Sequence, residues 1–370
     1  FVVPLLDSLW FSEETYRFLM PIYVERALIF LVISCPCALV LSIPLSFFSG
    51  IGAQSKQGVL VKSGSDIETL AELKNVVFDK TGTLTKGTFE IVDIVSKDND
   101  LLIKYAAHAE SFSTHPIAKS IVSSYPYPIN QSLVTEVSEV FGQGVSCLFE
   151  NHKLLVGSAK LMEQNHIALP VIQQGKTIVY VAYDNQLTGY LTISDVLKEN
   201  SKKTIEELRK QMIDVSVVTG DHMQSAEHML NGLHIKTYAN CLPEDKVSIV
   251  ESYIQKGKTA FIGDGVNDAP VLISANLGVA MGGLGSDAAI EAADAVIMND
   301  DPYKIIDAIR ISKKTMRIVK QNIVFAISIK VIVLILGALG LANMWLAIFA
   351  DVGVSLLAVF NSLRIFRSNK

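Results

Sequence analysis

Long apolar runs at both ends of the chain restrict its possible folds more than any other feature of the sequence. Residues 22–48 are apolar apart from one Glu-Arg pair and a few small polar residues, and residues 318–341 and 344–363 form two further runs. A helix needs about 20 apolar residues to cross a bilayer. We therefore predict transmembrane α-helices at both ends, with the last two runs forming a hairpin that turns at residues 337–343.

Basic residues flank this C-terminal hairpin on both sides. Seven cations lie there: Lys313, Lys314, Arg317, Lys320, Arg364, Arg367 and Lys370. Cytoplasmic flanks carry an excess of Lys and Arg, so both outer ends of the hairpin are expected to face the cytoplasm. Residues 7–20 contain a single cation, Arg17, which fits the outer face. We expect an integral membrane protein of the cell membrane, with the lipid bilayer as partner and residues 51–310 in the cytoplasm.

Composition excludes two other classes of protein. The net charge is −5, and no basic stripe with interleaved aromatic residues is present, which argues against a nucleic-acid partner. Four cysteines in 370 residues do not form a disulfide framework.

The central region contains a carboxylate placed for chemistry. The apolar run of residues 76–78 predicts a buried strand, and Asp79 follows it at the edge where open α/β sheets place their ligands. Residues 79–83 read Asp-Lys-Thr-Gly-Thr, so Lys80 puts a cation beside the carboxylate and the following residues can close around a phosphoryl group. A carboxylate in this position can attack phosphorus and form an aspartyl-phosphate.

Two more apolar strands end in phosphate-handling residues. Residues 215–218 lead into Thr219, and residues 260–263 lead into Asp264 and, four residues later, Asp268. Carboxylates suit Mg²⁺, which one or two of them usually hold together with phosphate oxygens and water. Between these strands, Lys246 can reach a phosphoryl oxygen as a point charge.

These elements together resemble the haloacid-dehalogenase-like fold, and residues 79–83 resemble the phosphorylation motif of P-type ATPases. The resemblance implies an α/β haloacid-dehalogenase-like phosphorylation domain with an α+β nucleotide-binding insertion, plus transmembrane α-helices at both ends. The catalytic residues that it implies are Asp79, Lys80, Thr81, Thr219 and Lys246. The Mg²⁺ ligands that it implies are Asp79, Thr81, Asp264 and Asp268.

The insertion contains two short motifs that resemble nucleotide-domain motifs of heavy-metal pumps. Residues 110–116 include Glu110 and His115, and residues 142–145 include Gly142 and Gly144. The resemblance implies that His115 stacks on or hydrogen-bonds to the adenine of ATP, Glu110 accepts from its amino group, and the glycines let the backbone approach. Further expected nucleotide contacts are Gly157, Thr83, Gly220 and Asp221.

Three sites inside the apolar runs point to a metal ion. Pro36 lacks an N–H and breaks the first helix, so Cys35 and Cys37 project as thiolates into the break, and their close spacing makes a disulfide between them unfavourable. Lys330 lies about 18 Å before the hairpin turn and Asp351 about 13 Å after it, at 1.5 Å per residue. All three sites are therefore expected to converge near the middle of the bilayer, where ionisable residues are functional by default.

Cys-Pro-Cys resembles the transport site of heavy-metal (CPx-type) P-type ATPases, and Lys330 with Asp351 resembles the zinc/cadmium/lead branch. The resemblance implies ATP-driven export of Zn²⁺, Cd²⁺ or Pb²⁺, with Cys35, Cys37 and Asp351 as ligands and Lys330 as counter-ion. A carboxylate added to two thiolates suits a divalent ion better than Cu(I). Cu(I) remains the alternative cargo.

Two other functions stay open: a membrane-tethered phosphatase of the same soluble fold, and a metal-binding membrane protein with a degenerate ATPase remnant. The actuator motif Thr-Gly-Glu is absent, so the resemblance implies a fragment that lacks the N-terminal actuator and metal-binding domains of a full pump. The sequence predicts five parts. Residues 1–50 form a transmembrane part with the cysteine site, residues 51–88 form a stalk with the start of the phosphorylation domain, and residues 89–192 form the nucleotide domain. Residues 193–310 form the rest of the phosphorylation domain, and residues 311–370 form the hairpin.

Overall fold

The computed structural model describes residues 13–140, 142–170, 177–221, 223, 230, 232–233, 235–264, 268–282, 287–339 and 341–366. Part of the segment expected on the outer face, residues 7–12, lies outside them, as do Arg367 and Lys370 of the basic flank. The chain forms two compact units. We call residues 1–73, 294–296 and 304–370 the helical unit, and residues 74–293 and 297–303 the α/β unit.

The helices and strands of the described residues are numbered here in chain order. The helices are α1 (Glu13–Ser34), α2 (Cys37–Ser55), α3 (Gly64–Glu72), α4 (Asn99–Glu110), α5 (Pro116–Ser124), α6 (Ala159–Gln164), α7 (Ser201–Lys210), α8 (Pro243–Ile254), α9 (Ala269–Ser274), α10 (Asp287–Ala292), α11 (Lys304–Ala338), α12 (Met344–Ile348) and α13 (Val354–Leu363). The strands are β1 (Val59–Val61), β2 (Asn75–Asp79), β3 (Thr85–Ser96), β4 (Val134–Val140), β5 (Gly144–Phe149), β6 (His152–Gly157), β7 (Thr177–Tyr183), β8 (Gln186–Leu197), β9 (Asp214–Val218), β10 (Lys236–Tyr238), β11 (Thr259–Gly263), β12 (Leu277–Met281) and β13 (Ala295–Ile297).

A parallel sheet is the centre of the α/β unit. Its strands lie in the order β12-β11-β2-β9-β10, and every neighbouring pair in this run is parallel. All residues of β2, β11 and β12 are buried, as expected for strands covered on both faces. Since β2 is central, its C-terminal residue Asp79 has neighbouring strand ends on both sides.

The α/β unit also contains an antiparallel sheet of six strands. Its order is β3-β8-β7-β6-β5-β4, so the chain leaves along β3 and returns along β8. The strand β5 alternates between half-buried and buried residues, and its buried face packs with α4 and α5 around Leu102, Ile121 and Phe149. This sheet matches the expected α+β insertion, whose separation as a domain over residues 89–192 stays a prediction.

The helical unit contains three helices that are long and apolar enough to cross a membrane: Tyr23–Ser55, Lys304–Ala338 and Met344–Leu363. These confirm the three runs predicted from the sequence. The first is interrupted, because α1 ends at Ser34 and α2 begins at Cys37, with Pro36 at φ −84° and ψ 36°. The predicted break at Pro36 is thus confirmed, and the hairpin turns between Ala338 and Met344 as predicted.

Small and polar residues join the membrane helices to one another. On α2, Ser42 and Ser46 are fully buried, and the Ser46 and Ser362 hydroxyls lie 2.8 Å apart. On α11, the Asn322 amide donates to the Ala358 carbonyl and to the Ser362 hydroxyl, both at 3.1 Å. Such contacts hold helices together in lipid, where apolar burial offers no advantage over lipid tails.

Candidate active site and metal site

The ends of three parallel strands bring the predicted phosphoryl-transfer residues together. Asp79 is opposite Val218 in the β2–β9 register, so Thr219 follows at the same edge. On the other side of β2, the residue Asp264 comes directly after β11. This edge is where α/β sheets form ligand sites, and the predicted grouping of Asp79, Thr219 and Asp264 is confirmed.

Lys246 links two buried carboxylates at this edge. Its Nζ donates to Asp79 Oδ1 at 2.7 Å and to Asp268 Oδ1 at 2.8 Å. Asp79 is 5% exposed and Asp268 is 3% exposed. Burial, followed by the nearby Asp268 carboxylate, raises the pKa of Asp79 to about 7 although Lys246 opposes the shift. Burial alone would lower the pKa of Lys246, but Asp79 and Asp268 outweigh it and raise that pKa above its usual value.

The three carboxylates form a donor set that fits Mg²⁺. One oxygen each from Asp79, Asp264 and Asp268 lies within 4.8 Å of the others. Hard carboxylate oxygens are the ligands that Mg²⁺ prefers, and an adjacent phosphate would complete its shell. Thr81, the fourth predicted ligand, is exposed next to Asp79 with extended backbone angles.

The loop of residues Lys80–Leu84 is shaped around this edge. Gly82 has φ +72°, and a Cβ on it would lie 2.6 Å from Asp264 Oδ2, so only glycine fits. The Gly82 N–H donates to Thr85 Oγ1 at 3.2 Å, and Thr85 Oγ1 donates to the Lys80 carbonyl at 3.1 Å. The Thr83 hydroxyl is buried and has no hydrogen-bond partner among the described residues. An unsatisfied buried hydroxyl in this loop fits a phosphoryl ligand.

The expectation that Lys80 places its cation beside Asp79 is wrong. Lys80 forms an ion pair with Asp221 instead, and Lys246 is the cation that contacts Asp79. The reason is the strand order, because β9 lies next to β2 and Asp221 follows β9 by three residues. The Thr219 hydroxyl accepts from the Asp221 N–H at 3.1 Å, while a Cβ on Gly220 would meet only the Cys241 carbonyl, at 3.6 Å.

A second cluster of ligand atoms lies in the helical unit. One atom each from Cys35, Cys37 and Asp351 lies within 4.8 Å of the others, as the depth estimate predicted. Asp351 lies in a π-helical turn, Phe349–Gly353, between α12 and α13. Such turns occur often at functional sites because they redirect a side chain. The Asp351 Oδ1 atom is buried and has no hydrogen-bond partner in the described chain.

Lys330 completes this cluster from α11. Its Nζ donates to the Ile33 carbonyl at 3.2 Å and lies 3.9 Å from Asp351 Oδ1. The Ile33 carbonyl lies in the last turn before the break at Pro36. The predicted convergence of Lys330 and Asp351 at one depth is therefore confirmed.

The prediction that Cys35 and Cys37 are too closely spaced for a disulfide is wrong. The two residues form one in the structure, with a Cα–Cα distance of 5.6 Å. The helix break explains this, since the chain between Ser34 and Cys37 is not helical and lets both side chains turn to the same side. As thiolates, the form in which cysteine binds metals, both sulfurs would face Asp351.

The residues predicted to bind adenine lie around α4 and α5. Glu110 ends α4 and is 6% exposed, and burial followed by the Glu139 charge raises its pKa to about 7. His115 is exposed and precedes α5, where its Nδ1 accepts from the Ile117 N–H at 3.2 Å. Nε2 and the two faces of the His115 ring therefore remain available to contact an adenine base.

The three glycines of the predicted nucleotide site differ in what surrounds them. Gly144 and Gly157 are opposite each other on β5 and β6. A Cβ on Gly144 would lie 2.2 Å from the Val156 carbonyl, and a Cβ on Gly157 would lie 2.1 Å from the Gln143 carbonyl. Gly142 has φ +68° and open space where its Cβ would be. Close strand packing thus explains Gly144 and Gly157, and Gly142 is the glycine with room for a ligand.

Comparison with known proteins agrees with this geometry. The haloacid dehalogenase-like hydrolase family matches residues 73–276. A cadmium, zinc and cobalt-transporting ATPase of Bacillus subtilis (strain 168) is 49% identical over 354 residues, which cover 93% of this chain and 50% of that protein. The crystal structure of a zinc-transporting PIB-type ATPase in an E2.Pi state superposes with a TM-score of 0.85 at 30% identity, covering 99% of this chain and 62% of that one.

The match that shows the family of this chain is with the catalytic domain of a CPx-ATPase. Its structure is 30% identical and matches with a TM-score of 0.52, covering 70% of this chain and 98% of that domain. The chain belongs to the CPx-type P-type ATPases, within the haloacid dehalogenase-like hydrolases. The predicted fold class is confirmed, and this CPx-type chain is an integral membrane protein with a soluble catalytic part. It spans about half the length of the curated relatives it matches.

In this CPx-type chain, the different surroundings of Gly144 and Gly142 predict different losses of stability on substitution. Replacing Gly144 with Ala should destabilise the isolated α/β unit by about 3 kcal/mol or more, because the new Cβ meets backbone and φ is +135°. Gly142→Ala should cost only about 1 kcal/mol, the strain of its left-handed backbone. Urea unfolding of residues 74–303 followed by circular dichroism measures both. Equal losses for the two variants would contradict this explanation.

Glu110 gives this CPx-type chain a pH-dependent stability. Its carboxyl has a normal pKa of 4.5 and a folded pKa of about 7, so between these values the folded state keeps a proton that the unfolded state has lost. Stability therefore falls as pH rises from about 4.5 to 7, by roughly 3 kcal/mol in total. In urea unfolding of residues 74–303, Glu110→Gln should make the fall smaller by that amount, and the fall that remains belongs to Asp79, whose pKa is also raised to about 7. The exposed control Glu90→Gln should follow the wild type, and a parallel fall in Glu110→Gln would refute the assignment.

The sequence patterns missed one residue that contacts the Lys80–Leu84 loop in this CPx-type chain. Lys198 follows β8 and is 9% exposed. Its Nζ donates to the Gly82 carbonyl at 2.6 Å and to Asp300 Oδ1 at 2.8 Å. It thus fixes the Lys80–Leu84 loop from the end of β8, where Leu197 is paired with Thr85 of β3. A lysine that directly follows a strand rich in buried residues was the available signal.

Proposed function

We propose that the protein is the catalytic and membrane part of a pump that exports a soft divalent metal ion, Zn²⁺, Cd²⁺ or Pb²⁺, at the expense of ATP. The carrying observation is the cluster of Cys35, Cys37 and Asp351, which two of the three apolar helices contribute. A phosphatase of the same fold has no use for such a site. The cadmium and zinc named for the curated relative support the same cargo.

Phosphorylation of Asp79 is the proposed energy input. Asp79 Oδ2 would attack the γ-phosphorus of ATP, because Lys246 already occupies Oδ1, and the bond from that phosphorus to the β–γ bridging oxygen would break as ADP leaves. The ammonium of Lys246 reduces the repulsion between the carboxylate and an incoming phosphate, and the Thr219 and Thr83 hydroxyls donate to its oxygens. Asp264, Asp268 and Thr81 would hold Mg²⁺, which neutralises phosphate charge when bound.

The nucleotide is proposed to lie against the antiparallel sheet. His115 offers its ring to the adenine, Glu110 accepts from the exocyclic amino group, and Gly142 lets the backbone approach. Gly144 and Gly157 keep β5 and β6 close and so support this surface. On the phosphate side, the Lys80–Asp221 pair and Gly220 are proposed to border the triphosphate.

The choice of cargo follows from the donors in the membrane. Two thiolates suit Zn²⁺, Cd²⁺, Pb²⁺ and Cu(I), but the carboxylate of Asp351 favours a divalent ion. Lys330, 3.9 Å from Asp351, is the proposed counter-ion when the metal has left. A Cu(I) site needs neither a carboxylate nor a lysine, which makes Cu(I) the weaker candidate.

Metal-stimulated phosphorylation from ATP tests the proposal. The protein, kept reduced and reconstituted in vesicles, should incorporate more label from ATP labelled at the γ-phosphate into an acid-stable phosphoprotein with Zn²⁺, Cd²⁺ or Pb²⁺ than without metal. Stimulation by Cu(I) alone would overturn the cargo. Hydrolysis of simple phosphate monoesters with no effect of metal would support the phosphatase instead.

A further inference from the structure

A groove in the helical unit lies between α3 and the first half of α11. Its volume is about 790 Å³. Its described lining includes Glu72 of α3 and, from α11, Lys313, Arg317, Lys320, Val324 and Phe325. Neither the phosphorylation site nor the metal site uses any of these residues.

The chemistry of the groove changes along a single stripe of α11. Lys313, Arg317 and Lys320 are spaced by four and three residues and so share one face, and Val324 and Ser328 continue that face. The first half of the stripe is therefore basic and the second half is apolar. Val324 is 64% exposed and Phe325 is 40% exposed, so the apolar half is open to its surroundings.

The depth of this change matches the boundary of a bilayer. Lys320 precedes Lys330 of the metal site by ten residues, or about 15 Å along the helix. Half the hydrocarbon thickness is also about 15 Å. With Lys330 near the middle, Lys320 lies at headgroup level, Arg317 and Lys313 lie farther out, and Phe325 lies among the acyl chains.

The charges of the groove favour an anion at headgroup level. Three of its described residues are cationic, and Glu72 is the one acid among them. Arg317 and Lys320 are exposed. Among the described residues, no carboxylate oxygen lies within 4.0 Å of the side-chain nitrogens of either residue, the distance that defines an ion pair. Cations near a membrane surface attract anionic lipid headgroups.

We propose that this groove binds an anionic phospholipid, with the phosphodiester against Lys313, Arg317 and Lys320 and the acyl chains along Val324 and Phe325. The proposal needs only that α11 spans the membrane, so it does not depend on the cargo or on catalysis. A bound lipid would fill the space between α3 and α11 at the point where the membrane helix continues out of the bilayer.

Direct lipid binding tests the charge half of the proposal. The full protein in detergent is titrated with dioleoyl-phosphatidylglycerol, and bound lipids are counted by native mass spectrometry. Lys313→Gln/Arg317→Gln/Lys320→Gln should weaken binding about 100-fold. The matched control Arg310→Gln/Lys314→Gln/Arg364→Gln removes the same charge outside the groove and should bind as the wild type does. Equal weakening in both triple variants would overturn the site.

Two measurements on the wild-type protein separate the possible occupants. A phosphatidylglycerol with a photoreactive acyl chain should crosslink to the α11 peptide that contains Val324 and Phe325. Absence of these crosslinks, as expected if another protein segment fills the groove, would overturn the proposal. Glycerol 3-phosphate should fail to displace the lipid, since it lacks acyl chains. Displacement would assign the groove to a soluble phosphate instead.

Discussion

Asp79→Asn is expected to abolish the phosphorylated form of the protein, with a loss on the order of 10³-fold or more. The amide keeps the shape of the side chain but has no nucleophilic oxygen of the required charge. It also removes one of the two anionic partners of Lys246, which lies 2.7 Å from Asp79 and 2.8 Å from Asp268. The measurement is acid-quenched incorporation of label from ATP labelled at the γ-phosphate.

A matched variant separates this loss from a general effect of removing an acid. Asp93 lies on β3 of the same unit, is exposed, and accepts only from the next backbone N–H among the described contacts. Asp93→Asn should therefore incorporate label as the wild type does. Label that remains on Asp79→Asn at wild-type levels would show that another residue accepts the phosphoryl group.

Asp351→Asn is expected to weaken zinc binding by about 100-fold or more. The carboxylate is the only anionic oxygen of the described cluster with Cys35 and Cys37, and the amide cannot balance the charge of a divalent ion. Lys330, 3.9 Å away, would then lose its partner and repel the metal. Equilibrium zinc binding to the reduced protein, counted by elemental analysis, measures the effect.

The control for this experiment is Asp307→Asn at the start of α11. Asp307 pairs with Lys304 at 3.5 Å and Arg310 at 3.4 Å and takes no part in the cysteine cluster. It should bind zinc with wild-type affinity. If Asp351→Asn also retains full affinity, the ion is held by sulfur alone and the preference for a divalent cargo loses its basis.

Regular geometry explains which parts of the site were predictable. Parallel strands end at one edge, so residues that follow buried strands could be grouped from the sequence alone, as Asp79, Thr219 and Asp264 were. A fixed helical rise likewise placed Lys330 and Asp351 at one depth. In both cases the backbone repeats, and counting residues is enough to estimate a position.

Side-chain partners across strands were not predictable in this way. Lys80 was assigned to Asp79 by adjacency, but it pairs with Asp221 because β9 lies beside β2. Gly144 was assigned to the nucleotide, yet its nearest neighbours belong to β6, a pairing that depends on sheet register. Lys198 reaches Gly82 over a separation of 116 residues, and its position after a strand could indicate a site residue but not this partner.

The hydroxyl contact between Ser46 and Ser362 joins residues that are 316 positions apart in the chain. A ribosome adds about 5–20 residues per second, so roughly 15–60 s separate the synthesis of these two serines. During that interval α2 is already made, while α13 and the Asp351 turn do not yet exist. The cysteines therefore enter the membrane well before their carboxylate partner, and the ion site can form only after residue 351 has been synthesised.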